Sequence, residues 1–359
     1  MHKISVVATT YNHERYIAQF LHSMFAQTYG EFELILVDDC STDSTAHEIE
    51  SVRDTRLVFI RNKKNMGPAA TANIGISHAT GDYIGLINGD DVAEPGYLEY
   101  GLKLFQQNPD IAAVAFPFYF IDEIGQRRVD NIPVEPNFKQ YNRYAALRKM
   151  FFDGNVIPSP GQIFKKETIR KNGPFNQALF QTIDYDFNVR TLLNGDILIG
   201  PKRLIGYRIT ESGLNIDNGK PESYVRRQQE LGFVLDHYLN IDEETYSSIF
   251  HPNEKHQKIM VSFEVAKIAL AHHDITRKLW GFRKILELMS DVESYLSISD
   301  TYNMDYSDFV KLLSSCIDDQ TNQYVSLKSQ LDEAWKEMRE LKDSKYFKIY
   351  EMTKRLIGK

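Results

Sequence analysis

The sequence predicts an α/β protein: a mostly parallel sheet with helices on both faces, followed by an α-helical C-terminal module. Two observations carry this. Near-continuous apolar runs (ISVVAT, FELILVDD, RLVFIRN, DYIGLING) alternate with helix-like stretches (YIAQFLHSMFAQ, STAHEIESV, AATANIGISHA) through the first hundred residues. Strands buried on both faces read as unbroken apolar runs rather than as alternation. Polar residues then gather where the runs stop, at Thr9 to Asn12, Asp38 to Ser41, and Asn88 to Asp91. In open sheets of this kind ligands bind outside the carboxyl ends of the strands, so these three clusters mark the expected site.

Taken in order, MHKISVVATTYNHE holds one lysine and a short apolar run that ends in polar residues. It reads as the first strand rather than as a signal peptide. In ELILVDDCSTDST, Asp38 and Asp39 end a strand, and Ser41 and Thr42 open a helix as capping residues with Asp43 nearby. Capping accounts for Ser41 but not for two preceding carboxylates, one of which could accept a hydrogen bond from a base such as uracil. NKKNMGPAATANIGISHATGDYI carries Asn65, Gly67, Asn73, Gly75 and Gly81. Its glycines let a backbone approach a ligand closely, or simply cap helices. YIGLINGDDVAEP buries Ile84, Leu86 and Ile87, then presents Asn88, Gly89, Asp90 and Asp91 before Pro95. Adjacent carboxylates repel and are costly to desolvate, so a cation or a hydroxyl-rich ligand is expected there; a solvated acidic turn is the plainer alternative.

Beyond Asn108 the pattern becomes α+β. AAVAFPFYFI reads as one further strand, DEIGQRR as a turn, 140–152 as a helix and VIPSPGQIF as a broken segment, together building a second half of the site over 109–215. From 216 to 322 helical periodicity dominates, and a separate helical module is expected. His272 and His273 are adjacent within it, expected on different helix faces and therefore as surface or packing residues. Over 323–359, Tyr324, Leu327, Leu331, Ala334, Met338 and Leu341 form a short heptad stripe that serves either packing on the preceding module or a homodimer. The stretch that follows is basic and amphipathic, suited to an anionic membrane surface, with a solvated helix end as the alternative.

Composition excludes some classes. A formal net charge of −7 over 359 residues argues against nucleic acid as a partner. Cys40 and Cys316 are the only cysteines and lie far apart, which indicates neither a disulfide framework nor a zinc site and favours a reducing compartment. No stretch approaches the roughly 18 unbroken apolar residues of a membrane span.

The segments TTYNHERYIAQFLHSMFAQTY, ELILVDDCSTDST, NMGPAATANIGISHATGDYI and INGDD, in this order within about residues 3–210, resemble the family 2 glycosyltransferases. Those enzymes have the Rossmann-like GT-A fold. The resemblance implies a GT-A domain over 1–215, with a nucleotide-binding half at 1–108 and an acceptor half at 109–215. It implies that Thr9, Tyr11 and Asp39, with Asp38 beside them, cradle the nucleotide base, and that Asn65 and Asn73 belong to the nucleotide-binding set. Asp90 and Asp91 then bind the ribose and a divalent cation, Mn²⁺ or Mg²⁺, on the diphosphate.

QTIDYDFNVRTLLNG resembles the family's general-base segment, which assigns that role to Asp184; Asp186, two residues on, points elsewhere if a helix begins here. Ser159, Gly161 and Gln162 match the acceptor-lining segment. In IGYRITESGLN, Thr210 stands where a histidine is frequent, and Arg208 is expected to compensate the diphosphate charge. The implied activity is inverting transfer of a hexosyl or N-acetylhexosaminyl group from a nucleotide-sugar. The first choice is a UDP-sugar, with dTDP- and GDP-sugars as alternatives. The implied acceptor is a hydroxyl of a glycan or lipid-linked intermediate of cell-surface polysaccharide synthesis, on the cytoplasmic face of the membrane. Departures at Asn88, Ala72, Ile183 and Thr210 support an alternative, an inactive GT-A-like protein that binds nucleotide-sugar or glycan as a scaffold. A nucleotidyltransferase is disfavoured, since no glycine-rich, lysine-bearing phosphate loop lies near the N-terminus.

Overall fold

A computed structural model describes residues 2–128, 138–210, 221–251 and 259–314. The first half runs β1 (Ile4–Thr10), α1 (Ile17–Phe25), β2 (Phe32–Asp38), α2 (Thr45–Ser51), β3 (Leu57–Arg61), α3 (Pro68–His78), β4 (Tyr83–Asn88), β5 (Val92–Ala93) and α4 (Tyr97–Gln107). It continues with β6 (Ala113–Ala115), β7 (Phe118–Ile121), α5 (Arg143–Asp153), β8 (Gln162–Lys165), α6 (Lys166–Asn172), α7 (Ile183–Asn194), β9 (Ile197–Ile199) and β10 (Ile205–Arg208). Seven strands form the main sheet in the order β3-β2-β1-β4-β8-β6-β9. Only β8 is antiparallel to its neighbours β4 and β6.

Strand alternation explains the two helical layers. Ile4, Val6 and Ala8 of β1 join one buried cluster with Ile17, Phe20 and Met24 of α1 and Leu98 and Leu102 of α4. In α1 those apolar side chains recur in steps of three and four, the stripe that faces a core. Val7 points to the opposite face, where α3 lies so close that a side chain at Gly75 would run into it. Each fully buried Ile, Val or Leu of this kind contributes about 1.5–3 kcal/mol.

The run AAVAFPFYFI is two strands rather than one. Pro117 has no N–H to donate to a ladder, and the chain changes sheets around it: β6 stays in the main sheet, while β7 joins a second, three-stranded sheet in the order β5-β10-β7. The small sheet fixes β10 against the segment that follows the acidic pair, with Gly206 opposite Val92.

After β10 come α8 (Pro221–Asp236), a 3₁₀ turn (His237–Asn240) and α9 (Glu243–Phe250). The chain divides into two compact units, 1–256 and 257–359. Helices α8 and α9 thus belong to the unit that holds the sheet, although the sequence pattern changes already near 216. Tyr238 donates to Leu147 O (2.9 Å), Arg148 donates to Phe250 O (3.0 Å), and the Phe151 ring packs against Tyr238 and Phe250, all of which fasten this segment to α5.

The second unit is described for α10 (Val261–Leu270), α11 (Ile275–Ser290), α12 (Val292–Tyr302) and α13 (Tyr306–Ser314). Its core is Phe263, Ala266, Leu270, Ile285, Ile298 and Phe309. His272 and His273 fall after α10 ends rather than within a helix, and their rings stack with centroids 4.2 Å apart instead of diverging. Among the described residues no helix is long and apolar enough to cross a membrane. The heptad stripe and the basic amphipathic stretch of 323–359 lie outside the described residues.

Candidate active site

Register brings the polar ends of three strands to one level. Thr10 of β1 lies opposite Asp38 of β2, and Thr9 opposite Asn88 of β4. The ladder continues past the strands: Asp39 N–H donates to Thr10 O and Gly89 N–H to Thr9 O, each at 2.9 Å. On the far side of β4, antiparallel β8 begins with Gln162 opposite Leu86, so the 155–161 loop reaches the same edge. That edge is the carboxyl end of the parallel strands.

At the nucleotide half the loops are stitched to one another. Asn12 sits at φ 54°, a left-handed conformation that Asn tolerates. Its side chain accepts from Thr42 N–H, and its own N–H donates to Ser41 Oγ, each at 2.9 Å. Tyr11, 41% exposed, stands open at the rim, and Thr9 is partly buried beside it in sequence.

Asp38 and Asp39 are both engaged internally. Asp38 is fully buried and accepts from the Ser41 hydroxyl and amide, with Arg61 Nε at 3.1 Å. Asp39 accepts from Asn62 Nδ2 (2.8 Å) and Met66 N–H (2.7 Å) on one oxygen and from Gly67 N–H (2.8 Å) on the other. Its carboxylate therefore shapes the 62–67 loop. Gly67 follows at φ 83°, a backbone region that glycine enters without steric penalty, and Pro68 then opens α3 at the position where a missing N–H costs nothing. Asn65 accepts from the same Gly67 N–H at 3.2 Å. Asn73 spends its amide on Phe175, donating to its carbonyl (2.9 Å) and accepting from its N–H (2.8 Å), which ties α3 to the loop before α7.

The acidic pair after β4 divides into a buried and an open member. Asp91 is fully buried; Oδ1 accepts from Arg208 N–H (3.1 Å) and Oδ2 has no partner. Burial, and then the neighbouring Asp90 charge, push its carboxyl well above the usual range. The Asp90 side chain keeps 16% exposure; among the described residues His13 Nε2 lies 3.9 Å from its Oδ2, and the buried Arg208 charge also acts on it. An orphaned buried carboxylate oxygen beside a half-buried, like-charged neighbour fits a hard divalent cation, which would offset both the desolvation and the repulsion. Among the described residues no set of three or more His, Cys, Asp and Glu side chains could hold a metal. Any cation here would fill its remaining positions with oxygens of a ligand or of water.

Arg208, expected to compensate a diphosphate, is engaged inside the protein. It is fully buried, and its guanidinium donates to Asp90 O, Asp122 O and Gln19 Oε1, each at 2.6 Å, while lying 4.7 Å over the Tyr16 ring. It is a clamp that shapes the acidic turn from within. Thr210, two residues on, is buried.

In the second half, Asp184 occupies the first turn of α7. Oδ2 accepts from the Ser159 hydroxyl and from Asn155 Nδ2 (3.1 Å), and Oδ1 takes no hydrogen bond from the described residues. Asp186 points away, as helix geometry requires. It is 1% exposed and pairs with Arg190 Nε (2.9 Å) and His237 Nε2 (2.7 Å). Burial opposes its ionisation, but the hydrogen bond from His237 and the Arg190 charge outweigh that and hold its carboxyl below the ordinary value. Gly161, at φ 71°, turns the chain where a side chain would strike Ile205. Gln162 is buried and donates to Asn188 Oδ1 (2.9 Å), so it braces α7 instead of facing an acceptor.

Three participants carry no readable motif. Asn155 and His13 act through spatial neighbours, and the only hint for His13 was its place beside the polar strand end. Glu230 of α8 accepts from the N–H groups of Phe180 (3.0 Å), Gln181 (2.8 Å) and Thr182 (2.9 Å), 48 to 50 residues away, and so holds the entry to α7.

A family model described as Glycosyl transferase family 2 matches residues 5–171. Glycosyltransferase MJ1057 of Methanocaldococcus jannaschii is 32% identical over 213 residues, 57% of this chain and 70% of that protein. The chain belongs to glycosyltransferase family 2. A glycosyltransferase of Haemophilus influenzae extends the likeness to 82% of this family 2 enzyme and 94% of its own length, at 26% identity. Among solved structures, S. aureus TarS 1-349 in complex with UDP-GlcNAc shares the fold at TM-score 0.56 and 20% identity, over 80% of this chain and 81% of that one. Mannosyltransferase PcManGT of Pyrobaculum calidifontis, in complex with GDP-Man and Mn²⁺, does so at TM-score 0.50 and 16% identity, over 87% and 86%. The glycosyltransferase thus has the GT-A architecture that its mostly parallel sheet describes.

Proposed function

We propose that this glycosyltransferase moves a hexosyl or N-acetylhexosaminyl group from a UDP-sugar to a hydroxyl of a glycan or lipid-linked acceptor, with inversion at the anomeric carbon. One observation carries the reading. Of the acids at the strand edge, Asp38, Asp39 and Asp186 are consumed by internal hydrogen bonds, and Asp91 is closed to solvent with one oxygen left unpartnered. Asp90 and Asp184 keep carboxylate oxygens free of hydrogen bonds from the described residues.

The two open acids then take different roles. Asp184 Oδ1 accepts the proton of the acceptor hydroxyl while that oxygen forms a bond to the anomeric carbon from the face opposite the leaving group. The bond from the anomeric carbon to the nucleoside diphosphate breaks in the same step, and its electron pair leaves on the diphosphate. Asp90, backed by Asp91, holds the Mn²⁺ or Mg²⁺. The bound cation supplies charge compensation to the departing diphosphate. Tyr11 at the rim and the loop fastened by Asp39 line the base. TarS with UDP-GlcNAc and PcManGT with Mn²⁺ support this choice of donor class and cation, and the cell-surface role and the cytoplasmic membrane face follow from the same family reading.

A panel of UDP-, dTDP- and GDP-sugars tests the proposal. Slow hydrolysis or transfer with a UDP-sugar in the presence of Mn²⁺, giving a product of inverted configuration by NMR, is the expected result. Tight binding with no turnover on any donor would instead favour the scaffold reading.

A further inference from the structure

We propose that Glu230 is a positioning residue for the transfer reaction: it sets where α7 begins and, through that, where the Asp184 carboxylate points. This inference rests on the general-base reading of Asp184 above and adds a group that reading does not contain.

The start of α7 is not fixed by its own sequence. Asn142, Asp242, Asp274 and Asp291 each cap the helix they precede, accepting from an N–H of its first turn. Thr182, at the corresponding position before α7, makes no such bond. Its hydroxyl donates instead to Glu230 Oε2 (3.1 Å), so the local device that would set the first turn is turned outward. Glu230 replaces it from α8. Buried at 5% exposure, its carboxylate accepts from the Phe180 N–H on Oε1 and from the Gln181 and Thr182 N–H groups on Oε2. Three successive amides that converge in this way form a concave anion site, which the carboxylate fills. A neutral amide of the same shape would not fill it, because its NH₂ would face N–H donors.

Asp184 lies two residues beyond Thr182, in the first turn of α7, so a shift of these amides is passed to it through the backbone. From the other direction its Oδ2 is held by Ser159 and Asn155. The carboxylate is therefore oriented between two supports, the loop before β8 and helix α8. His237, which follows α8, adds a further hold on the same turn by meeting Asp186 Oδ1 at 2.7 Å. Such placement governs rate: a reacting group displaced by about 1 Å costs on the order of 10²-fold.

A double-mutant cycle on the full chain tests this, with turnover read as UDP release from UDP-GlcNAc in Mn²⁺, well below the melting temperature of each variant. In Glu230→Gln, kcat is expected to fall about 10- to 100-fold while the donor KM and the affinity for UDP stay at parental values. In the Asp184→Asn background the same substitution is expected to cost nothing further, because a group that acts through the base has no effect once the base is gone. A parental kcat in Glu230→Gln, a loss confined to KM, or an equal loss in both backgrounds overturns the inference and leaves the base reading standing. Turnover that is absent from the parent, or insensitive to Asp184→Asn, overturns both. Should Glu230→Gln fold poorly, Thr182→Val removes the hydroxyl donor and leaves the carboxylate in place. The same cycle then decides: a fall in kcat confined to the parent background supports the inference, and a parental kcat overturns it.

Discussion

The Ser159 hydroxyl donates to Oδ2 of Asp184, tying the loop that enters β8 to the first turn of α7. Asn155 adds a second donor to the same oxygen, at 3.1 Å. One side of the carboxylate is thus fixed by the protein, and the other takes no hydrogen bond from the described residues. In Asp184→Asn, turnover is expected to fall on the order of 10²–10⁴-fold while UDP affinity is retained. Steady-state kinetics alongside calorimetry reads both; near-parental turnover would remove the general-base assignment.

Asp39 fastens the 62–67 loop through three hydrogen bonds. Asp39→Ala is expected to cost about 1–3 kcal/mol of stability, since bonds to a charged acceptor are lost. It should also speed amide exchange at Met66 and Gly67. Unchanged exchange there, with UDP binding abolished, would show that the carboxylate meets the base directly.

Asp186 gives the fold an acid-sensitive joint. Its folded-state carboxyl is held below the ordinary value, so its contribution is fully present above the unfolded pKa of about 3.9 and is lost as pH falls through the lower folded value. Asp186→Asn is expected to destabilise by about 3–5 kcal/mol near neutral pH, because Arg190 and His237 lose their partner. The stability gap to the parent should narrow below about pH 4. Urea melts at a series of pH values test this, and a gap that widens on acidification would contradict the pairing.

Arg208 separates two readings by which quantity responds. As an internal clamp, Arg208→Met is expected to lower stability by about 3–5 kcal/mol, in line with breaking a buried charged network. An arginine that gripped the diphosphate would instead weaken UDP-sugar binding with little change in Tm. Thermal melts paired with binding isotherms distinguish the two.

The edge that collects the site was legible, because apolar runs ending in Asp-Asp or Asn-Gly-Asp-Asp report where buried strands stop. That Asp184 and Asp186 diverge was legible too, since residues two apart on a helix cannot share a face. What each remaining carboxylate does was not. Asp39 is claimed by amides 27 and 28 residues away, Asp91 by one 117 residues away, and nothing local encodes such bonds. The surroundings of Arg208 were hidden for the same reason: the carbonyls that enclose it come from distant segments. Pro117 was a readable interruption whose meaning, a change of sheet, depended on β10 arriving from far along the chain.

Glu230 reaches back from α8 to three consecutive amides at the threshold of α7. Modular exchange among relatives must respect that reach. A chimera joined just after β10 would leave those amides without their carboxylate, whereas a junction near 256 would carry the anchor across intact.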